Sequence, residues 1–174
     1  EPEAPYGVSK LSGEYYLASQ ARLHGIETVA LRYSNVYGPR QDPHGEAGVV
    51  AIFCGRLLDG RALTVYGDGR QTRDYVFVGD VARANFAAAT ATLPPAGGVD
   101  ARAFNIGTGR ETSVLELGTA LATAAGGSAA VIEHAPARAG ELQRSAVRID
   151  KAAAWLRWKP TVALSEGLSQ TYQW

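Results

Sequence analysis

The pattern that most constrains this chain is the regular alternation of short apolar, β-branched runs with longer helical stretches. Glycine, proline and polar residues separate the two kinds of segment. Such alternation is typical of α/β proteins, in which strands pair in parallel and helices cover the sheet. The predicted strands are residues 27–33, 63–66, 75–78, 104–107 and 130–133, and the predicted helices are residues 6–24, 47–58, 80–92, 113–125, 150–156 and 165–172.

Local signals mark several boundaries of these elements. Asp80 is a favourable N-cap residue for the helix that follows it, and Ser113 with Glu116 has the spacing of a capping box. Gly25 and Gly60 stand where glycine commonly ends a helix. Residues 34–45 are polar and rich in turn-forming pairs, so they predict a loop.

Composition excludes several classes of function. The formal net charge is zero, and no apolar run approaches the ~20 residues that span a bilayer, so we expect neither a nucleic-acid nor a membrane partner. The only cysteine, Cys54, lies in an apolar helical stretch and is expected in the core. A single cysteine cannot form an internal disulfide and fits a reducing, cytoplasmic setting. The three histidines are far apart in sequence, so no metal site is expected.

The start of the sequence indicates that more chain precedes it. The 174 residues contain no methionine, and they open on Glu1-Pro2-Glu3 without the basic and apolar segments of a signal peptide. We therefore expect residue 1 to be an internal position of a longer protein.

The first candidate for chemistry is the pair Tyr6 and Lys10. Residues four apart share one face of a helix, so the phenol and the ammonium project together. A cation beside a phenol stabilises the phenolate, and the pair can then act as a base near neutral pH. The same spacing also occurs on solvated helix surfaces, so from the residues alone the two interpretations are about equally supported.

Two further segments carry polar groups that suit a phosphorylated ligand. Asn35 follows an apolar strand, and ligands of open α/β sheets bind beyond the carboxyl ends of strands. Its amide can serve a phosphate oxygen or a sugar hydroxyl. Arg73 is a fork-shaped donor suited to a diphosphate, and Asp74 could orient it. An ordinary turn at Asn35 and a surface ion pair at Arg73 remain open alternatives.

Two segments are less informative when taken alone. Gly107-Thr108-Gly109 lies between a strand and a capped helix and superficially resembles a phosphate loop. It lacks the other residues of a nucleotide fingerprint, so close packing of strand and helix is the favoured interpretation. Arg138 and Glu141 lie in a loop after a strand, where exposed charges are ordinary.

Taken together and in this order, the five motifs resemble the extended short-chain dehydrogenase/reductase family. The resemblance covers nearly the whole chain, and within the family it is strongest to bacterial nucleotide-sugar 4-epimerases. The segments that carry it are Tyr6–Lys10, Arg32–Pro39, Gly45–Phe53, Gly67–Tyr75, Asp80–Ala82, Phe104–Gly107 and Arg138–Glu141.

The resemblance implies a role for individual residues. Tyr6 would remove the proton from the sugar 4-hydroxyl while hydride passes to NAD, and Lys10 would hold the nicotinamide ribose. Tyr33 would also contact the cofactor. The 4-keto sugar would turn over and take the hydride back on its other face. The residues that would bind a UDP-sugar, with guanidinium groups gripping the diphosphate, are Asn35, Val49, Tyr66, Arg73, Tyr75, Arg138 and Glu141.

The resemblance also implies a fold and a division of the chain. The expected fold is the late part of a Rossmann-type parallel sheet plus a smaller α/β substrate-binding lobe. Residues 1–40 and 75–108 would belong to the dinucleotide-binding domain, and residues 41–74 and 109–174 to the substrate lobe. Apolar surface is expected along the Tyr6 helix and the strand at residues 27–33. Because such surface favours association, we also expect homo-oligomers.

Some features of the family are absent from this sequence. The loop Gly-x-x-Gly-x-x-Gly and the Ser or Thr upstream of the catalytic Tyr are not among the 174 residues. We therefore expect no epimerase activity from these residues by themselves. Three alternatives remain for the function: a nucleotide-sugar 4,6-dehydratase, a UDP-uronic acid decarboxylase, and a non-catalytic UDP-sugar-binding remnant.

Overall fold

The protein is an α/β structure whose strands pair two by two. In a computed structural model, the residues described are 5–44, 48–95, 97–127 and 130–174. The helices are α1 Pro5–His24, α2 Val49–Leu58, α3 Val78–Thr90, α4 Val114–Ala124, α5 Asp150–Trp155 and α6 Leu164–Gln173. The strands are β1 Ala30–Tyr33, β2 Asn35–Tyr37, β3 Leu63–Tyr66, β4 Thr72–Arg73, β5 Tyr75–Phe77, β6 Ala103–Ile106, β7 Thr112–Ser113 and β8 Ile132–Ala135. The predicted α/β class is confirmed.

One extended segment changes its pairing partner at Ser34. Before it, β1 runs parallel to β6 with Ala30 opposite Ala103. After it, β2 runs parallel to β5 with Asn35 opposite Tyr75. Elsewhere β3 pairs in parallel with β8, and β4 pairs antiparallel with β7. Strands β1, β2, β5 and β6 lie within residues 1–40 and 75–108, and strands β3, β4, β7 and β8 lie within residues 41–74 and 109–174. The division of the chain into two lobes remains a prediction.

Two predicted boundaries were wrong in this region. The strand expected from residue 27 begins only at Ala30, because β6 begins opposite it at Ala103 and no partner faces residues 27–29 among the paired strands described. The loop expected at residues 34–45 contains β2, a strand too short to show a periodic pattern. Residues 45–47, which include the expected start of α2 at Ala47, lie outside the described residues.

Strand β5 lies between two hydrophobic cores. Tyr75 and Phe77 point into the first core, and Val76 between them points into the second, as alternation along a strand requires. The first core packs α2, α4 and α6 against β3, and it contains Cys54 as predicted. Burial raises the pKa of that thiol to about 11.

Helix α3 begins earlier than its capping signal indicated. Asp80 was predicted to be the N-cap, but the helix starts at Val78 and Asp80 lies fully buried within its first turn. Its carboxylate accepts hydrogen bonds from the backbone nitrogens of Thr161 and Val162, and it pairs with Arg83 at 2.5 Å. A buried carboxylate needs such partners, so Asp80 fastens the segment before α6 to α3. The predicted capping box of Ser113 and Glu116 is confirmed.

Helix α1 is attached differently from the other helices. None of its residues is buried, and Tyr15, Tyr16 and Leu23 are each at least 60% exposed. Apolar surface along α1 was expected. No helix among the described residues is both long and apolar enough to cross a membrane.

Two glycine-to-alanine changes compare the tightly packed helix α6 with the exposed helix α1. A methyl group at Gly167 would collide with the Tyr37 hydroxyl and approach Phe77 to 3.0 Å, whereas Gly13 faces open space. We expect G167A to lower the free energy of unfolding by about 1–3 kcal/mol through overpacking. G13A should raise it by up to about 1 kcal/mol through helix propensity. Urea denaturation measures both, and a stabilising G167A would contradict the packing described.

Candidate functional site

Tyr6 and Lys10 lie on the same face of α1, in its first two turns. The Lys10 ammonium nitrogen is 4.9 Å from the centroid of the Tyr6 ring. Both side chains are exposed, and the Tyr6 residue is 67% exposed. The hydroxyl and the ammonium are therefore free to meet a ligand together.

Tyr33 ends β1 and is 45% exposed. Its hydroxyl donates a hydrogen bond to the Asn85 side-chain oxygen on α3, at 2.9 Å. The Asn85 amide in turn donates to the Val81 carbonyl within the same helix. Asn85, which the sequence did not single out, thereby fixes the Tyr33 ring at the carboxyl end of its strand.

Seven residues that the resemblance assigned to substrate binding surround one cavity of about 360 Å³. They come from β2, α2, β3, β4, β5 and the loop after β8, segments that are far apart in sequence. The seven are Asn35, Val49, Tyr66, Arg73, Tyr75, Arg138 and Glu141. Tyr6, Lys10 and Tyr33 are not among the described residues that line this cavity.

Arg73 enters the cavity from β4 and is largely enclosed. Its Nη2 lies 3.3 Å from the Glu141 carboxylate. Its Nη1 donates to the carbonyl oxygens of Thr72 and Leu142. Because Leu142 and Glu141 belong to the loop after β8, these contacts close that loop over β4.

The sequence suggested that Asp74 could orient Arg73, and this was wrong. The Asp74 side chain points away from Arg73 and binds Thr108 and Gly109 instead. The Asp74 carboxylate is buried and accepts hydrogen bonds from the Thr108 backbone nitrogen at 2.8 Å, the Thr108 hydroxyl at 2.6 Å and the Gly109 nitrogen at 2.9 Å. Gly107 is required beside it, since a Cβ there would meet Asp74 and Val147 at 2.6 Å or less. The Gly107–Gly109 segment thus has a structural role, in which its amides bind an internal carboxylate.

Arg138 stacks on the Tyr66 ring, with its guanidinium carbon 3.9 Å from the ring centroid. This contact is a cation–π interaction, which orients the guanidinium while leaving its hydrogen-bond donors available. Tyr66 lies at the end of β3, so the loop after β8 is held to that strand as well as to β4.

Tyr75 presents a hydroxyl that is buried at the cavity wall without a hydrogen-bond partner among the described residues. Burial raises its pKa to about 12, Arg73 lowers it and Glu141 raises it further. The phenol is therefore protonated at neutral pH and can donate to a ligand oxygen.

The cavity also contains residues that sequence reasoning missed. Arg56, Ile52, Thr64 and Gln71 line it. Helical spacing could have found Arg56, which is two turns after Val49, and strand alternation could have found Thr64, two residues before Tyr66. With Arg56 included, three guanidinium groups face one carboxylate, so the lining carries a positive charge.

Comparison with known proteins identifies the class of protein that has this fold and cavity. A sequence profile of the NAD dependent epimerase/dehydratase family matches residues 1–107. The chain belongs to this family, which confirms the resemblance noted in its sequence.

Particular relatives narrow the comparison. UDP-glucose 4-epimerase of Mycolicibacterium smegmatis is 48% identical over 172 residues, which cover 99% of this chain and 53% of that protein. dTDP-glucose 4,6-dehydratase of an Actinoplanes species is 35% identical over 173 residues, covering 99% and 51%. This chain spans about half the length of the curated relatives it matches.

Solved structures give the same picture. UDP-glucose 4-epimerase of Thermotoga maritima, determined with UDP-glucose, has a TM-score of 0.89 and 44% identity, covering 99% of this chain and 53% of that one. UDP-glucose 4-epimerase of Thermus thermophilus, in complex with NAD, has a TM-score of 0.87 and 43% identity, covering 99% and 54%.

Replacing Asp74 tests its structural role. In D74N an amide group faces backbone donors that the carboxylate had satisfied, so we expect the free energy of unfolding to fall by about 2–4 kcal/mol. D68N is the matched control, because Asp68 is exposed and binds only at a turn; it should change stability by less than about 0.5 kcal/mol. Equal effects of the two variants in urea denaturation would contradict the role assigned to Asp74.

Removing the Tyr75 hydroxyl should stabilise the unliganded chain. A buried polar group without a partner is unfavourable, so we expect Y75F to raise the free energy of unfolding by about 1 kcal/mol. In Y37F a hydroxyl that donates to the Leu164 carbonyl is lost instead, and stability should fall by about 0.5–1.5 kcal/mol. Opposite signs in thermal denaturation support the description, and a destabilised Y75F argues against it.

Proposed function

We propose that this chain supplies the substrate cavity and the catalytic Tyr–Lys pair of an NAD-dependent nucleotide-sugar 4-epimerase, acting on a UDP-hexose. The observation that carries the proposal is the cavity itself. Side chains from six separate segments converge on it, and their net charge is positive. A diphosphate is a dianionic, oxygen-rich group that such a lining would stabilise.

The cavity residues divide the work of binding. Arg73 and Arg138 would grip the diphosphate from two sides, since one comes from β4 and the other from the loop after β8. Asn35 would give its amide to a phosphate oxygen or a sugar hydroxyl. The Tyr75 hydroxyl, which lacks a partner among the described residues, would gain one from the ligand. Charge-assisted bonds to the diphosphate leave the hexose loosely held, as a sugar that must turn over requires.

Tyr6 and Lys10 would carry the chemistry. Tyr6, as a phenolate stabilised by the Lys10 ammonium, would take the proton of the sugar 4-hydroxyl and become a neutral phenol. Lys10 would also hold the cofactor ribose. The two groups fit an NAD site because both are exposed and the Lys10 ammonium lies 4.9 Å from the centroid of the Tyr6 ring. Tyr33 would flank the same site at the carboxyl end of β1. NAD, when bound, supplies a hydride acceptor and donor.

One observation favours an epimerase over the sister activities. The epimerase relative is 48% identical, whereas the dehydratase relative is 35% identical. A homo-oligomer formed through the exposed face of α1 is part of the same proposal.

Calorimetric titration with UDP tests the cavity assignment. We expect UDP to bind at least about tenfold more tightly than uridine, because only UDP offers the diphosphate. R138A should weaken UDP binding about tenfold and leave uridine binding nearly unchanged. R61A removes the same charge at an exposed position outside the cavity and should bind UDP as the unmodified chain does. No heat with UDP, or equal affinity for UDP and uridine, would refute the proposal.

A further inference from the structure

Among the described residues, few contacts hold helix α1, which carries the proposed catalytic pair, in one orientation. No residue of α1 is buried. Apolar contacts at its surface are non-directional, so they would permit rotation of the helix about its axis. Such rotation would change where Tyr6 and Lys10 point relative to the end of β1. A directional contact is needed to fix it.

Glu14 is placed to provide this contact. It follows Lys10 by four residues and Tyr6 by eight, so all three lie along the same face of the helix. The face that presents the phenol and the ammonium near the start of α1 therefore presents a carboxylate near its middle. The Glu14 side chain is only 13% exposed.

Arg32 on β1 donates hydrogen bonds to both oxygens of that carboxylate. Its Nε lies 2.7 Å from Glu14 Oε1 and its Nη2 lies 2.5 Å from Glu14 Oε2. A bidentate pair of this kind constrains direction as well as distance, because the guanidinium and the carboxylate must be coplanar. Asp100, whose side chain is 85% exposed, binds the same Nη2 at 2.8 Å.

Another polar link between α1 and the chain after it is weaker. The Thr28 hydroxyl donates to the Leu17 carbonyl at 3.2 Å, and that contact is exposed and single. A single bond to a backbone carbonyl leaves the helix free to pivot about it. The two parallel hydrogen bonds between Arg32 and Glu14 constrain both distance and direction, so they can fix the rotation of α1.

We propose that Glu14 and Arg32 are positioning residues, which lock the rotation of α1 so that Tyr6 and Lys10 face the carboxyl end of β1. The proposal rests on the proposed function for the roles of Tyr6 and Lys10. Arg32 is suited to this role because it immediately precedes Tyr33. Two consecutive residues of β1 would therefore fix the rotation of α1 and place the Tyr33 ring.

Spin-label distances test the lock. In a C54A background, nitroxides at the exposed positions Gln20 on α1 and Ser165 on α6 report the position of the helix. We expect a narrow distance distribution in the parent and in D100N, which loses a carboxylate from the same guanidinium but not from α1. E14Q should broaden or shift the distribution and accelerate amide hydrogen exchange in α1 about tenfold. R32K keeps the charge without the fork and should resemble E14Q.

The outcomes separate this inference from the proposed function. Glu14 lies outside the cavity, so E14Q should titrate with UDP as the parent does, which also shows that the variant is folded. If E14Q does not fold, the R32K distribution decides the question. A narrow distribution unchanged in both E14Q and R32K would overturn the lock even if UDP binds. Failure of UDP to bind the parent would overturn the cavity assignment and leave the distance result readable.

Discussion

The carboxylate of Asp74 is the group on which the geometry of the cavity depends. Its position in the chain, between Arg73 and Tyr75, means that whatever holds Asp74 also places two residues of the cavity lining. The side chain binds the backbone nitrogens of Thr108 and Gly109, just after the end of β6. The Asp74 carbonyl accepts from the Asn35 nitrogen, which adds a third cavity residue. A buried carboxylate is unfavourable without hydrogen-bond donors. The need to keep these donors therefore holds Arg73, Tyr75 and Asn35 in place around the cavity.

A second buried acid acts in the same way behind the cavity. Asp80 holds residues 161 and 162 against α3, and the Trp158 indole donates to the Asp80 carbonyl. Together Asp74 and Asp80 fasten the later part of the chain to β5 and α3 through directional bonds. The two hydrophobic cores on either side of β5 supply the burial, and the two carboxylates determine which surfaces meet.

The two halves of the proposed site are supported by different forces. The cavity is enclosed by strands and helices that have buried faces, so its lining is held by core packing. The Tyr6–Lys10 pair is on a helix without a buried residue, and its proposed support is the ion pair of Glu14 with Arg32. An ion pair weakens when either partner loses its charge or its geometry, whereas core packing responds mainly to changes in the volume of buried side chains. We therefore expect the Tyr6–Lys10 pair to be the part of the proposed site that is more sensitive to a single polar substitution.

The sequence by itself determined the class of fold and the types of residue at the site. Helical patterning and capping signals located the α-helices among the described residues to within a few residues of their ends. The capping box at Ser113 was readable because its two bonds are local. The resemblance selected seven residues that the structure brings to one cavity, although their roles stay proposals.

Tertiary structure alone decided which groups are partners. The sequence placed Asp74 beside Arg73 and made Asp80 a helix cap, since both are reasonable within a few residues. The structure pairs these carboxylates with residues 34 and 81 positions away. It also created β2, whose three residues form a strand only because β5 lies next to them. Local patterns carry information about neighbours within a few turns, but a buried charge is satisfied by whichever donors the folded chain brings to it.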